Sequence, residues 1–121
     1  MANPFVHVEL NTQDLPKAKA FYGKLFNWQL DDVDMGPGGT YTVIKPGEGT
    51  GGGMMKHPMP GAPSMWLAYV LVDDIDAATA KARPLGAQIV KEVTEIPNVG
   101  RFSIFIDPTG AMLALFKPKG M

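Results

Sequence analysis

The 121-residue chain contains no cysteine. That absence excludes disulfides, thiolate zinc sites, iron–sulfur clusters and cysteine nucleophiles together. Neither charge is in excess, since 11 Lys and Arg against 12 Asp and Glu leave a formal charge of −1. Nucleic-acid binding needs clustered cations to neutralise phosphates, so no such partner is expected. Long apolar runs are missing as well. The longest, Met65 to Val72, falls far short of the ~20 residues that cross a bilayer as a helix, and no membrane partner is expected. No basic–apolar–small leader precedes Asn3-Pro4, so the expected location is the cytoplasm.

What the chain does have is a core. Hydrophobic residues make up 45% of it, enough for a packed interior, and the length suits a single domain, 1–121. Gly and Pro account for 14 of the 28 residues from Gly36 to Pro63. Tyr41-Thr-Val-Ile-Lys45 within that stretch is β-branched and aromatic, so the segment reads as turns around a strand.

The flanks are clearer. From Phe5 to Asn11, Val6, Val8 and Leu10 alternate with His7, Glu9 and Asn11, the period of a strand with one apolar and one polar face. Asp14 can cap a helix with Pro16 in its first turn. Leu15, Ala18, Phe21, Tyr22, Leu25 and Phe26 form its apolar stripe, and Asn27-Trp28 ends it. The second half repeats the pattern. Met65 to Val72 is a strand, Asp73 or Asp74 caps a helix with Ile75, Ala78, Ala82 and Leu85 as stripe, and Pro84 and Gly86 close it. Strands follow around Ile89 to Val93, Arg101 to Ile106 and Ala111 to Phe116, with a tight turn at Asp107-Pro-Thr-Gly110.

A shift of 60 residues lays Asp14 on Asp74, Ala18 on Ala78, Ala20 on Ala80, Leu25 on Leu85, Pro37 on Pro97 and Ile44 on Ile104. Caps, stripes and strands keep register, which predicts two βαβββ modules, about 1–58 and 62–121. The fold class is therefore α+β. Its alternative is a ferredoxin-like sandwich. A period this long marks a duplicated half-domain rather than a solenoid.

The motifs H-V-E-L-x-T-x-D-L-P-x-A-x-x-F-Y-x-x-L-F-x-W (His7 to Trp28), V-D-D-I-D-A-A (Val72 to Ala78) with Leu85-Gly86, and F-x-I-F-x-D-P-T-G (Phe102 to Gly110) carry a resemblance. The chain resembles the vicinal oxygen chelate superfamily of glyoxalases, bleomycin-resistance proteins and ring-cleaving dioxygenases, within it the lactoylglutathione-lyase-like bacterial group. The resemblance implies a cupped mixed sheet with helices outside, a pocket in the cup and a homodimer. It does not single out a reaction, because the family spans lyases, epimerases, dioxygenases and binders.

Metal-dependent members place ligands on the first and last strands of each module. Carried onto this chain, those positions fall on His7, Met54, Leu67 and Ala114. Only His7 is a competent ligand for a hard ion, and a divalent metal wants at least three nitrogen or oxygen donors. Glu9, two residues along the same strand, could add a carboxylate. The expectation is no cofactor, with a divalent metal as the minor alternative.

Strand alternation then supplies a pocket lining. It places His7, Glu9, Tyr41, Val43, Leu67, Tyr69, Arg101, Ser103 and Phe105 inward, with Met54, Met112, Ala114 and Phe116 as an apolar wall, a composition suited to a small-molecule site. Glu9 is the candidate acid–base residue and His7 a second candidate; either could instead serve structure by hydrogen bonding to neighbours. Arg101 could hold a ligand carboxylate or phosphate, or lie in solvent. Gly47 to Gly52 matches G-x-G-x-x-G, but no helix start follows, so no pyrophosphate cradle is expected. His57 and Asp107 read as loop and turn residues. The functional expectation is a metal-free pocket for a small metabolite. The alternative is a lyase or isomerase using Glu9 and His7, or a metal shared across a dimer.

Overall fold

The computed structural model describes residues 2–36 and 39–120. Two tandem βαβββ modules make up the α+β fold. Module one comprises β1 (Phe5–Thr12), α1 (Leu15–Leu25), β2 (Gln29–Asp34), β3 (Thr40–Lys45) and β4 (Gly52–Lys56). Module two comprises β5 (Met65–Leu71), α2 (Ile75–Ala82), β6 (Gln88–Ile96), β7 (Gly100–Ile106) and β8 (Met112–Pro118). The strands run β2-β3-β4-β1 in the first and β5-β8-β7-β6 in the second. In each, the strand before the helix pairs in parallel with the last strand, and the other pairs are antiparallel. This connectivity excludes the ferredoxin-like alternative.

The backbone separates into two compact units, His7–Leu67 and, as the other, the residues up to Val6 with those from Ala68 on. The leading segment thus belongs with the second unit. The Leu71 N–H donates to the Pro4 carbonyl at 2.9 Å, and the Asn3 side-chain amide donates to the Leu71 carbonyl at 2.8 Å.

The duplication is plainest at the helix starts. The Asp14 carboxylate accepts from the Lys17 N–H at 3.1 Å, and the Asp74 carboxylate accepts from the Ala77 N–H at 3.0 Å. Each satisfies an N–H that the first helical turn leaves without a partner. Pro16 sits in the first turn of α1, where its missing N–H costs nothing. The Pro37–Pro97 match cannot be placed, because Pro37 lies outside the described residues.

One face of each sheet carries the helix. In module one Leu10, Ile44 and Met54 are buried against Leu15, Ala18 and Tyr22 of α1, with Trp28 and Leu30 alongside. In module two Val72, Ile75 and Leu115 are buried with Val70, Ala78, Val93 and Phe105. A hydroxyl pair ties α2 to β7, Thr79 Oγ1 to Ser103 Oγ at 2.8 Å, both side chains buried.

The expected helix stripes are partly corrected. Phe21, Leu25 and Phe26 are exposed, as is Leu85, at 67%. Leu85 falls beyond α2, which ends at Ala82 with Arg83 as its cap. Pro84 has no N–H to extend the helix, so Leu85 never reaches the stripe. On α1, Tyr22 takes the inner position and meets Trp28 and Trp66 at ring distances of 5.8 and 5.5 Å. No helix among the described residues is long and apolar enough to cross a membrane.

Candidate functional site

The helix-free face of module one follows from the pleat of β1. Leu10 points to α1, so His7 and Glu9 point away from it. Glu9 is level with Gly53 of β4, and Gly53 with Val43 of β3. Tyr41, two residues before Val43, therefore shares the face with His7 and Glu9. These side chains meet. His7 Nε2 lies 2.7 Å from the Tyr41 hydroxyl, and the two rings are stacked.

Gly53 makes this meeting possible. A Cβ at position 53 would overlap the end of the Tyr41 ring and its hydroxyl. The phenol occupies the volume that any other residue's side chain would fill, and from there it reaches His7. Gly52 has a different reason to be small, because a Cβ there would run into the Val8 carbonyl and prise β4 from β1.

Electrostatics follow from burial. Glu9 is 5% exposed. Desolvation holds the His7 pKa below its ordinary value, which keeps the imidazole neutral at neutral pH. The Tyr41 phenol is pushed well above its usual range, first by burial and then by the negative charge of Glu9. The site is thus a neutral imidazole bonded to a protonated phenol, beside a carboxylate. A group of this kind can accept, donate or relay a proton to a bound small molecule.

Module two also has a helix-free face, and it is apolar. Tyr69 of β5 is level with Ala114, and Ala114 with Ile104. The Tyr69 ring contacts Phe102 and Phe116 at 6.5 and 6.4 Å. Phe116 and Met112 alternate with Leu115, which packs on α2, so both belong to the same face as Tyr69. Leu67 lies two residues before Tyr69 on β5, and is buried.

Four expected placements are overturned, those of β7 because its more apolar face is not the one the helix covers, and that of Met54 because the repeat slips. Arg101 lies on the helix side, where its guanidinium holds Asp76 of α2 at 2.9 and 3.1 Å. Ser103 and Phe105 also face α2. Met54 is likewise part of the helix-side core rather than a wall of the opposite face. The repeat runs at 60 residues through the first strands, the caps and the helices. Thr42 is level with Met54 in module one, and Ser103 with Leu115 in module two, so the last two strands match at 61. A one-residue slip turns every side chain of a strand to the other face. In β6–β7 the pairing contains register shifts that β2–β3 does not have.

The slip also revises the ligand positions. The β4 place on the helix-free face belongs to Gly53 instead of Met54, and Leu67 and Ala114 offer no donor. No group of three or more His, Cys, Asp and Glu side chains with metal-holding geometry occurs among the described residues. The donor set does not fit the divalent ion that the family resemblance implies. Gly53 itself was missed from sequence. Its signal was the run Gly51-Gly52-Gly53 leading into a strand, where a glycine marks close approach of another group.

The remaining motifs are structural. Gly47 and Gly49 take positive φ in a turn that leads to β4, with no helix after it. His57 Nδ1 accepts from the Met59 N–H at 3.1 Å. Asp107 accepts from the N–H groups of Thr109 and Ala111, and these bonds with the Thr109 hydroxyl hold its carboxyl below the usual range.

The family model described as Glyoxalase/Bleomycin resistance protein/Dioxygenase superfamily matches residues 5–115. A Mycobacterium tuberculosis protein named "Putative glyoxylase CFP32" is 41% identical over 110 residues, covering 91% of this chain and 42% of the relative. The chain thus spans less than half the length of that curated relative. Among solved structures, protein BH1468 of Bacillus halodurans superposes with a TM-score of 0.75 at 14% identity, covering 100% of this chain and 98% of the other. Methylmalonyl-CoA epimerase of M. tuberculosis superposes with a TM-score of 0.70 at 18% identity, covering 94% and 87%. At such identities the structures speak for the fold alone.

Proposed function

The chain belongs to the Glyoxalase/Bleomycin resistance protein/Dioxygenase superfamily, and we propose that it binds a small metabolite through His7, Glu9 and Tyr41 without a divalent ion. One observation carries the reading. The Tyr41 phenol, seated over Gly53, bonds the imidazole that a metal would need. Polar groups are few and converge on one strand face of module one, which suits a small-molecule site. Leu67 is proposed as an apolar ligand contact, and Tyr69, Met112 and Phe116 as apolar contacts for a ligand on the helix-free face of module two itself; Arg101 is withdrawn from that role by its place against α2. The homodimer implied by the resemblance belongs to the same proposal, and sedimentation velocity tests it.

A second reading is favoured by the 41% identity to a protein named as a glyoxylase. In it Glu9 takes a proton from the bound molecule, and the His7–Tyr41 pair returns one. Screening a metabolite library against exhaustively chelated protein separates the readings. Ligand-induced thermal stabilisation, lost in Tyr41→Phe or Glu9→Gln and accompanied by no turnover, supports binding. Turnover of a glutathione hemithioacetal by chelated protein would replace it with the acid–base reading. Binding or turnover that appears only when a divalent metal is restored would refute both.

A further inference from the structure

We infer that an apolar patch on module one, made by Phe21, Leu25 and Phe26 along the flank and end of α1 with Trp66 of β5, is the surface on which a second copy of this chain docks. The inference rests on the homodimer reading above and supplies its contact face.

Every residue of the patch lies within the His7–Leu67 unit. α1 turns Leu15, Ala18 and Tyr22 to the sheet. Phe21 and Leu25, one helical turn apart, are left outside, at 57% and 55% exposure. Phe26, the cap residue, and Trp66 are exposed as well. Ring contacts join them into one surface. Phe21 meets Tyr22 edge-on at 5.0 Å, and Phe26 meets Trp28 at 4.7 Å. Tyr22 and Trp28 both meet Trp66, at 5.5 and 6.4 Å. Scattered apolar side chains at a surface are ordinary, but a contiguous set marks a place of contact.

Area and charge suit a copy of the same chain. At their observed exposures the four side chains leave about 400 Å² of apolar surface uncovered. A stable dimer takes about 800 Å² from each partner, with an apolar centre inside a polar rim. The patch supplies such a centre, and no charged group of its own has to be desolvated there. The rim is basic. α1 carries Lys17, Lys19 and Lys24 and no acidic residue, and Lys19 is held by Asp32 at 2.7 Å. Lys17 and Lys24 have long stems that extend apolar cover while their ammonium groups stay in water. At a two-fold contact the same patch serves on both sides, so aromatic meets aromatic.

A relative indicates the size of the occupant. The M. tuberculosis protein matches this chain over 42% of its own length, so beside the matched stretch it carries more than an equal length of chain. A second copy of this chain is an occupant of that size.

The test reads the patch directly, because the two tryptophans of the chain, Trp28 and Trp66, both belong to this cluster. The full chain is followed through a dilution series by sedimentation velocity and by tryptophan emission. The expected result is a dimer at high concentration, with emission that moves to the red as it dissociates. Phe21→Ser combined with Leu25→Gln should raise the dissociation constant about a hundredfold or more, since each loss counts twice at a two-fold contact. Leu85→Gln, exposed in the other unit, should change nothing. Should the double variant fail to fold by circular dichroism, the wild-type emission series decides alone. A dimer that forms without a change in emission, or a folded double variant that dimerises like the wild type, overturns the patch and leaves the homodimer reading standing. A wild-type chain that is monomeric throughout overturns both, and a blue shift on adding phosphatidylserine vesicles would then assign the face to a bilayer. None of these outcomes bears on the ligand reading, which is tested at Glu9 and Tyr41.

Discussion

His7 and Tyr41 form a neutral pair, Nε2 to hydroxyl at 2.7 Å, with their rings inclined by 21° and their centres 6.3 Å apart. Thirty-four residues separate them in sequence, and β1 and β3 bring them together through the glycine of β4 that lies between. Tyr41→Phe keeps the ring and removes the bond. A neutral hydrogen bond contributes about 1 kcal/mol net, so the urea midpoint should fall by that equivalent. The imidazole nitrogen signals of His7 should move, while distant amides stay in place. An unchanged His7 spectrum would show that the bond does not form in solution.

Gly53→Ala should be more damaging, because the added Cβ overlaps the phenol. Overpacking of this kind costs about 1–3 kcal/mol. In a Tyr41→Val background the same alanine should cost clearly less, a coupling that chemical denaturation of the four proteins measures. Additive effects would mean that Gly53 and Tyr41 do not compete for the same space.

The pH dependence of stability should carry the mark of His7. Burial lowers its folded-state pKa below the ordinary 6.5, so below that value the unfolded chain binds more protons than the folded one. Stability should therefore decline as pH falls through and below about 6.5, in the sense required by proton linkage. His7→Gln should flatten that part of the profile. Tyr41 acts at the other end: its raised pKa makes stability fall as pH climbs past the ordinary tyrosine value of about 10.

The sequence made the modules legible because both signals that define them are local. Asp14 and Asp74 announce helix starts, and Val6, Val8 and Leu10 alternate cleanly against His7, Glu9 and Asn11. Half of the candidate site lay on that one well-patterned strand, and Tyr41 on the β-branched segment after the glycines. What could not be read was the face of β7. Phe102, Ile104 and Ile106 are more apolar than Arg101, Ser103 and Phe105, so they mimic a core-facing set. In the structure the apolar set turns away from α2, while Ser103 and Arg101 satisfy Thr79 and Asp76 of that helix. Hydrophobicity alone does not say which of two apolar faces is covered by a helix.

That reversal gives a prediction of its own. Thr79→Val leaves the Ser103 hydroxyl, 1% exposed, without its partner, at a cost of about 1–3 kcal/mol. Replacing both, Thr79→Val with Ser103→Ala, should recover part of the loss. Arg101→Gln, by contrast, should leave ligand affinity unchanged, since the guanidinium faces Asp76. A large drop in affinity on that substitution would place Arg101 back at the ligand.

Metal-free binding is measured most directly by an NMR titration of exhaustively chelated protein with a ligand from the library screen. The predicted result is saturable movement of the His7, Tyr41 and Gly53 signals, with the same affinity before and after zinc, nickel or iron(II) is added. Binding that vanishes on chelation and returns with the metal, carried by shifts at His7, would contradict it.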